Sequence, residues 1–297
     1  MKKIISLICI CVLSLSLFGC SKPENNVELK KNVSCQLLDV LTITNDTDNS
    51  TYYYYLASVE NKGKKPYDTK NLIYTVTDDN EKDISVIDKY QSTPSYIINK
   101  GQNTYIYGYI GFPNNDQKNL GLSFNNKKQF LPFKAFDIRK ASDKNVKDSK
   151  DTKYTFFEDD TLQIGVDASK ASYVYENGET VLKNIKITYK NKTDSRIIVP
   201  YLTPSATLEG VDLSNKYDFA NMDEIKSHDF TTNGMAPKTQ SFKAKVTGYM
   251  LYFLDSKQTI NAEIEFHFEN AAPDFTDKST KPFVVNMNSK AFGKSNT

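Results

Sequence analysis

The sequence predicts an all-β chain, with two tandem antiparallel β-sandwich domains behind a cleavable leader. Three observations carry this. Apolar and polar residues alternate through most of the chain after residue 33; Gly, Asn and Pro turns interrupt the alternation; and a polar stretch with one large apolar residue, Val146, parts two sets of strand signals.

The leader comes first. Met1-Lys2-Lys3 precedes an apolar run from Ile4 to Phe18. Its fifteen residues cover roughly 22 Å as a helix, against about 30 Å of bilayer hydrocarbon, so it reads as a secretory signal at 1–19 and not as a span. The run ends in Leu17-Phe18-Gly19-Cys20, which resembles the bacterial lipobox. The resemblance implies cleavage between Gly19 and Cys20, where the small Gly19 admits the peptidase, and diacylglyceryl transfer to the Cys20 thiol. Phe18 is bulkier than is usual there. Two acyl chains on one residue make a lasting anchor. The expected location is therefore the outer face of the cell membrane, lipid-anchored, exposed to the wall or exterior. Residues 20–32, opening Ser21-Lys22-Pro23-Glu24-Asn25-Asn26, read as a polar tether.

Removing residues 1–19 takes away Lys2 and Lys3 and no acid, leaving 36 basic against 36 acidic side chains. This balance gives no electrostatic reason to expect nucleic acid or teichoic acid as partner. Cys9 and Cys11 leave with the signal and Cys20 is acylated, so Cys35 has no partner for an internal disulfide. Stability must then come from packing.

The first domain is expected at 33–140. Cys35, Leu37, Leu41 and Ile43 share one strand face; Tyr53, Tyr55, Ala57 and Val59 another; Leu72, Tyr74 and Val76 follow the turn Asn61-Lys62-Gly63-Lys64-Lys65-Pro66. Strands continue through Tyr105–Phe112, Leu120–Phe124 and Phe130–Ile138. Residues 141–153 read as a flexible linker whose lysines would admit trypsin, giving two stable fragments. A single resistant core would instead mean that the domains pack, with the binding surface at their junction. The second domain is expected at 154–297, with strands at Leu162–Val166, at Tyr173–Tyr175 before the hairpin signal Asn177-Gly178, at Ile185–Tyr189, and at Ile260–Phe268. A helical turn is allowed within Asn221–Asp229.

The halves also look duplicated. Ser58-Val59-Glu60-Asn61-Lys62 aligns with Thr188-Tyr189-Lys190-Asn191-Lys192 at an offset of 130, and Ile98-Asn99-Lys100-Gly101-Gln102 aligns loosely with Met235–Gln240. Together with the Gly101 turn and the strand ending Phe112-Pro113, these features resemble the immunoglobulin-like, or telokin-like, domains of Gram-positive surface lipoproteins. The resemblance covers residues 33–138 and more faintly 154–288, with an insertion between Leu208 and Phe242. It implies tandem immunoglobulin-like sandwiches and, since the family is largely of unknown function, no catalytic residue.

Candidate chemistry is sparse. The chain has two histidines. His267 falls on the polar side of its strand with Glu263, Glu265 and Glu269, and reads as a solvated face; His228 lies in a polar stretch. Cys35 reads as a small core residue. Asp46-Thr47-Asp48-Asn49 and Asp78–Asp83 place oxygens close together, but lack the glycine and terminal glutamate of an EF-hand and read as turns. No catalytic residue, metal ligand or cofactor is expected. Tyrosine is the distinctive residue. In Tyr52-Tyr53-Tyr54-Tyr55 alternate rings face opposite ways, so one pair must meet solvent or a partner. Tyr52, Tyr54, Tyr105, Tyr107 and Tyr109 are the candidate binding surface. The expected activity is non-enzymatic binding of an envelope or extracellular protein, or of a wall component. The alternatives are an envelope hydrolase or metal-dependent enzyme using carboxylates near His267, and a transporter-associated substrate-binding lipoprotein.

Overall fold

The computed structural model describes residues 25–46, 48–79, 86–93, 97–113, 119–125, 129–142, 147, 149, 151–200, 202–208, 215–222, 225–228, 239–242, 253–268 and 283–289. The signal, Gly19 and Cys20 lie outside them. Among the described residues the chain is built from strands paired almost entirely antiparallel, the all-β class read from the sequence.

In the first half the strands are β1 (Asn26–Lys30), β2 (Val33–Asn45), β3 (Ser50–Asn61), β4 (Tyr67–Asp68), β5 (Tyr74–Thr77), β6 (Asp88–Gln91), β7 (Ile97–Ile98), β8 (Gln102–Phe112), β9 (Gly121–Phe124), β10 (Gln129–Pro132) and β11 (Arg139–Ser142). One sheet has the order β1-β2-β3-β8-β6 with β11 also on β2; a second is β10-β9-β5; β4 and β7 form a short ladder. β1 covers residues 33–36 of β2, and β11, running parallel, covers 41–44 of the same edge. Residues 26–32, expected in the tether, are thus a strand and its turn, and the Leu37 N–H donates to the Asn25 carbonyl at 2.9 Å.

The second half holds β12 (Lys153–Glu158), β13 (Leu162–Asp167), β14 (Ser172–Glu176), β15 (Glu179–Asn191), β16 (Ile197–Ile198), β17 (Leu202–Leu208), β18 (Asn215–Met222), β19 (Ile225–His228), β20 (Thr239–Phe242), β21 (Phe253–Leu254), β22 (Thr259–Phe268) and β23 (Phe283–Ser289). Asn177 (φ 54°) and Gly178 (φ 86°) form the expected hairpin tip between β14 and β15. The stretch Asn221–Asp229, where a helical turn was allowed, carries the end of β18 and all of β19. Of the stretch 141–153, Ala141 and Ser142 close β11 and Lys153 opens β12, while the Lys147 N–H donates to the Phe156 carbonyl at 2.7 Å.

The halves repeat one strand order. The main sheet of the second is β12-β13-β15-β22-β18, with β14 also on β15; the ladder β16–β21 stands where β4–β7 does, and β17–β23 where β5–β9 does. The same side chain ties each repeat. Asn61, 1% exposed, donates to the carbonyls of Lys65 and Ile98 (both 2.9 Å) and accepts from Gly63 N–H. Asn191, also 1% exposed, donates to Ser195 and Asp255 (both 2.7 Å) and accepts from Thr193 N–H. A buried amide that satisfies loop carbonyls on two strands fixes where the chain leaves the sheet. The second proposed match shifts. In the first half Asn99 N–H donates to the Gln102 side chain at 2.7 Å, and its equivalent is Asp255 N–H to Gln258 at 2.8 Å. The turn Asn99–Gln102 therefore corresponds to Asp255–Gln258 and not to Met235–Gln240, whose residues 235–238 lie outside the described set.

One bulge redistributes the first sheet. Register shifts between Leu37 and Asp39, so Cys35, Leu37 and Val40 face one way and Leu41 and Ile43 the other, correcting the single face read from alternation. The first group meets Tyr55, Val59, Tyr74, Leu122 and Phe124 between the two sheets of this half. The second, with Tyr52, Tyr54, Leu56 and Tyr105, belongs to a cluster that continues into the second half through Ile197, Ile198, Leu254, Ile187 and Ile264.

Candidate functional site

The bulge that turns Leu41 and Ile43 towards the second half also turns Asp39 there. Its side chain is 3% exposed and is held by Arg139, whose Nε lies 2.9 Å from Oδ1 and Nη2 2.5 Å from Oδ2. This planar fork suits a carboxylate as lysine would not. Arg139 stands on β11 in the first half and reaches Thr161 Oγ1 (2.6 Å) and the Ile198 carbonyl (3.1 Å) in the second; the Ile198 N–H donates back to Asp39 at 2.6 Å. Asp159 stands 3.7 Å from the guanidinium. Beside this network Arg196, paired with Asp255 at 2.5 Å, stacks over Tyr105 (4.6 Å) and Phe253 (5.0 Å). Among 38 basic residues the chain has two arginines, these two, and both cross the junction. The motif reading missed them. The rarity of arginine, and an aspartate interrupting Leu37-Leu38-Asp39-Val40-Leu41, were the available signals.

The candidate tyrosines line the same junction. Tyr52, Tyr54, Tyr105 and Tyr109 are 6%, 3%, 4% and 9% exposed, and Tyr107 is half-buried. Tyr105 packs on Phe253 with ring centroids 5.5 Å apart. The partner that alternation demanded for this face is the second half of the same chain, so most of the expected binding surface is covered. Burial raises the Tyr52 phenol above its ordinary pKa, with Asp88 and Asp48 adding to the effect.

Tyr109 also reaches an opening. Its hydroxyl donates to Asp88 Oδ2 (3.2 Å), its ring lies 6.2 Å from that of Tyr90, and both line a cleft of about 170 Å³ between β5 and β6. Tyr55 reaches the same cleft; burial, then neighbouring Tyr74, pushes its phenol well above the usual range. Gly108 admits this arrangement, because a Cβ there would collide with the Tyr90 carbonyl and the Tyr55 ring. Val86 and Lys89 stand at the rim, with Val86 and the adjacent Ile87 36% and 52% exposed. The cleft offers apolar area, tyrosine rings and one cation, which suits binding and supplies no nucleophile–base pair.

The remaining candidates are dispersed. Cys35 is fully buried and burial drives its thiol pKa far up, so it packs as a small apolar group. His267 sits on the outer face of the second sheet, Nδ1 3.2 Å from Glu179 and Nε2 3.8 Å from Glu265. Glu263 shares that face, and Glu269 lies outside the described residues. Among the described residues no three His, Cys, Asp or Glu side chains are grouped to hold a metal ion. His228 ends β19. Asp48 caps the β2–β3 turn by accepting from Ser50 N–H at 2.9 Å, with Asn49 at φ 58°. Residues 80–83 of the other acidic loop lie outside the described set. No described helix is long and apolar enough to cross a membrane.

No family model matches the chain, and no curated protein sequence matches it. Among solved structures, the secreted serine protease VesC from Vibrio cholerae matches over 85% of this chain and 51% of its own, at 9% identity and a TM-score of 0.20. The chain spans about half of that protein's length, and a likeness this faint carries no argument about fold or activity.

Proposed function

We propose that this chain is an exported lipoprotein, acylated on Cys20 and held on the outer face of the cell membrane, which acts by binding another protein or an envelope component and not by catalysis. Each half is read as an immunoglobulin-like sandwich. The observation that carries the anchor is the sequence itself: Lys2-Lys3, an apolar run of signal length and the lipobox-like Leu17-Phe18-Gly19-Cys20 stand in the order that export and acylation require. The binding reading rests on the β5–β6 cleft, which presents Tyr90, Lys89 and exposed Val86 beside exposed Ile87, while Tyr52, Tyr54 and Tyr105 are packed away at the junction.

Metabolic labelling with a fatty-acid analogue tests the anchor. Cys20→Ala is expected to abolish the label and leave the signal uncleaved, and normal labelling of the variant refutes the assignment. The binding reading is tested by capture of envelope components on the soluble chain from Ser21 onward, compared with Val86→Asp and Lys89→Glu. Loss of a captured component in both variants supports the cleft; unchanged capture moves the surface elsewhere.

A further inference from the structure

The strand register shows where the chain enters the fold, and this bears on how the anchored molecule stands. β1 leaves the edge of β2 at Gln36–Leu37, and β11 takes up the same edge at Leu41. Asn25 therefore lies at the gap between them, level with the Leu38 bulge. Asp39 and Arg139 are at that gap, and Arg139 reaches Thr161 in the turn between β12 and β13. The entry point is thus beside the junction of the halves, not at a far end of either. Five links from Cys20 to Asn25 span at most about 18 Å whatever their conformation.

We infer that the lipid on Cys20 holds the molecule by its waist, with the edge formed by β1 and β11, and the neighbouring Asp159–Thr161 turn, against phospholipid headgroups. This rests on the proposed acylation of Cys20. The occupant of that edge is the bilayer itself, because the leash keeps the edge within about 18 Å of the headgroups while the rest of the sheet extends away from it. Across the order β1-β2-β3-β8-β6, four strand spacings place β6 about 19 Å from β1. The short leash therefore points β6 and its cleft outward, where a partner in the wall or exterior can approach. A terminal tether of ordinary length would leave the orientation free.

The test uses the lipidated full chain in vesicles of phosphatidylglycerol and phosphatidylethanolamine that carry a headgroup nitroxide. A fluorophore is placed at Lys140→Cys on β11 or Lys89→Cys on β6, both exposed positions; Cys35 is buried and Cys20 blocked. Quenching at position 140 is expected to exceed that at 89 several-fold, and fifteen Gly/Ser residues inserted after Ser21 are expected to erase the difference. A chain that floats with the vesicles but shows equal quenching at both positions, or more at 89, overturns the orientation and leaves acylation standing. A wild-type chain that fails to float with them overturns the acylation and the orientation together.

Discussion

The two main sheets share a strand order but differ in how many faces they bury. In the first half β3 and β8 are covered on both sides, by their own partner sheet on one and by the second half on the other. From Tyr52 to Ala57 and from Tyr105 to Phe112 their only polar side chains are tyrosines, and β3 keeps only Tyr53, Ser58 and Glu60 half-exposed. In the second half one face packs inward while Glu263, Glu265 and His267 stand on the other, so β22 alternates strictly between exposed or half-exposed and buried residues. The same fold therefore produces two sequence textures. The texture reports the neighbours of a sheet, not its topology.

The junction is where this comparison is broken most severely. Arg139→Leu strands the Asp39 carboxylate in a buried site, at a cost of about 3–5 kcal/mol. It is expected to split one cooperative thermal transition into two, or to lower it sharply. In the wild type, trypsin cutting near Lys147 is expected to leave the two fragments associated in a native gel, and their separation without denaturant would show that the halves are independent.

Asn61→Ala and Asn191→Ala sharpen the likeness between the repeats. Each leaves two or more loop carbonyls without a donor, and a loss of about 2–3 kcal/mol is expected for both in urea unfolding. A large asymmetry would mean that one loop is held by something other than its asparagine. A smaller effect distinguishes the turns: the first uses Gly101 at φ 74°, the second Lys257 at φ 53°. Lys257→Gly is expected to stabilise by about 1 kcal/mol and Gly101→Lys to destabilise by a similar amount, read as opposite shifts in melting temperature.

The smallest effect is confined to acid. The Ser169 hydroxyl and N–H, with Lys153, hold the Asp167 carboxyl down to about 2. Its folded pKa lies below the unfolded value of about 3.9, so the stability it contributes is present above that value and fades as pH falls from about 4 towards 2. Asp167→Asn should remove that part of the acid sensitivity. Amide exchange in β12 is the measurement, and an unchanged acid profile would reject the assignment.

Strict alternation made β22 readable, and Asn177-Gly178 fixed the β14–β15 hairpin. The bulge at Leu38 was hidden because an extra leucine among leucines leaves no mark in the pattern, and it moved Leu41 and Ile43 to the other face. The Asp255–Gln258 turn escaped because Lys257 stands where a glycine was sought, although Gln258 N–H donates to the Asp255 carbonyl as Gln102 N–H does to Asn99. The junction was least visible: Asp39 and Arg139 are a hundred positions apart, and periodicity sees only neighbours. Tyrosine alternation predicted a covered or contacted face without saying that the cover was in the chain itself.

The hydrogen bond from Ile198 to Asp39 joins positions separated by 159 residues. A chain that emerges N-terminus first completes its opening sheet long before Ile198 arrives. Meanwhile the face of Tyr52, Tyr54 and Tyr105 stands bare, at the stage when exposed apolar surface draws non-native contacts. Contacts of such long sequence separation also slow folding. The halves are thus unequal in time as well as in texture: the first to emerge depends on the second as its lid, and a chain stopped after β11 would carry an adhesive face that the finished molecule never shows.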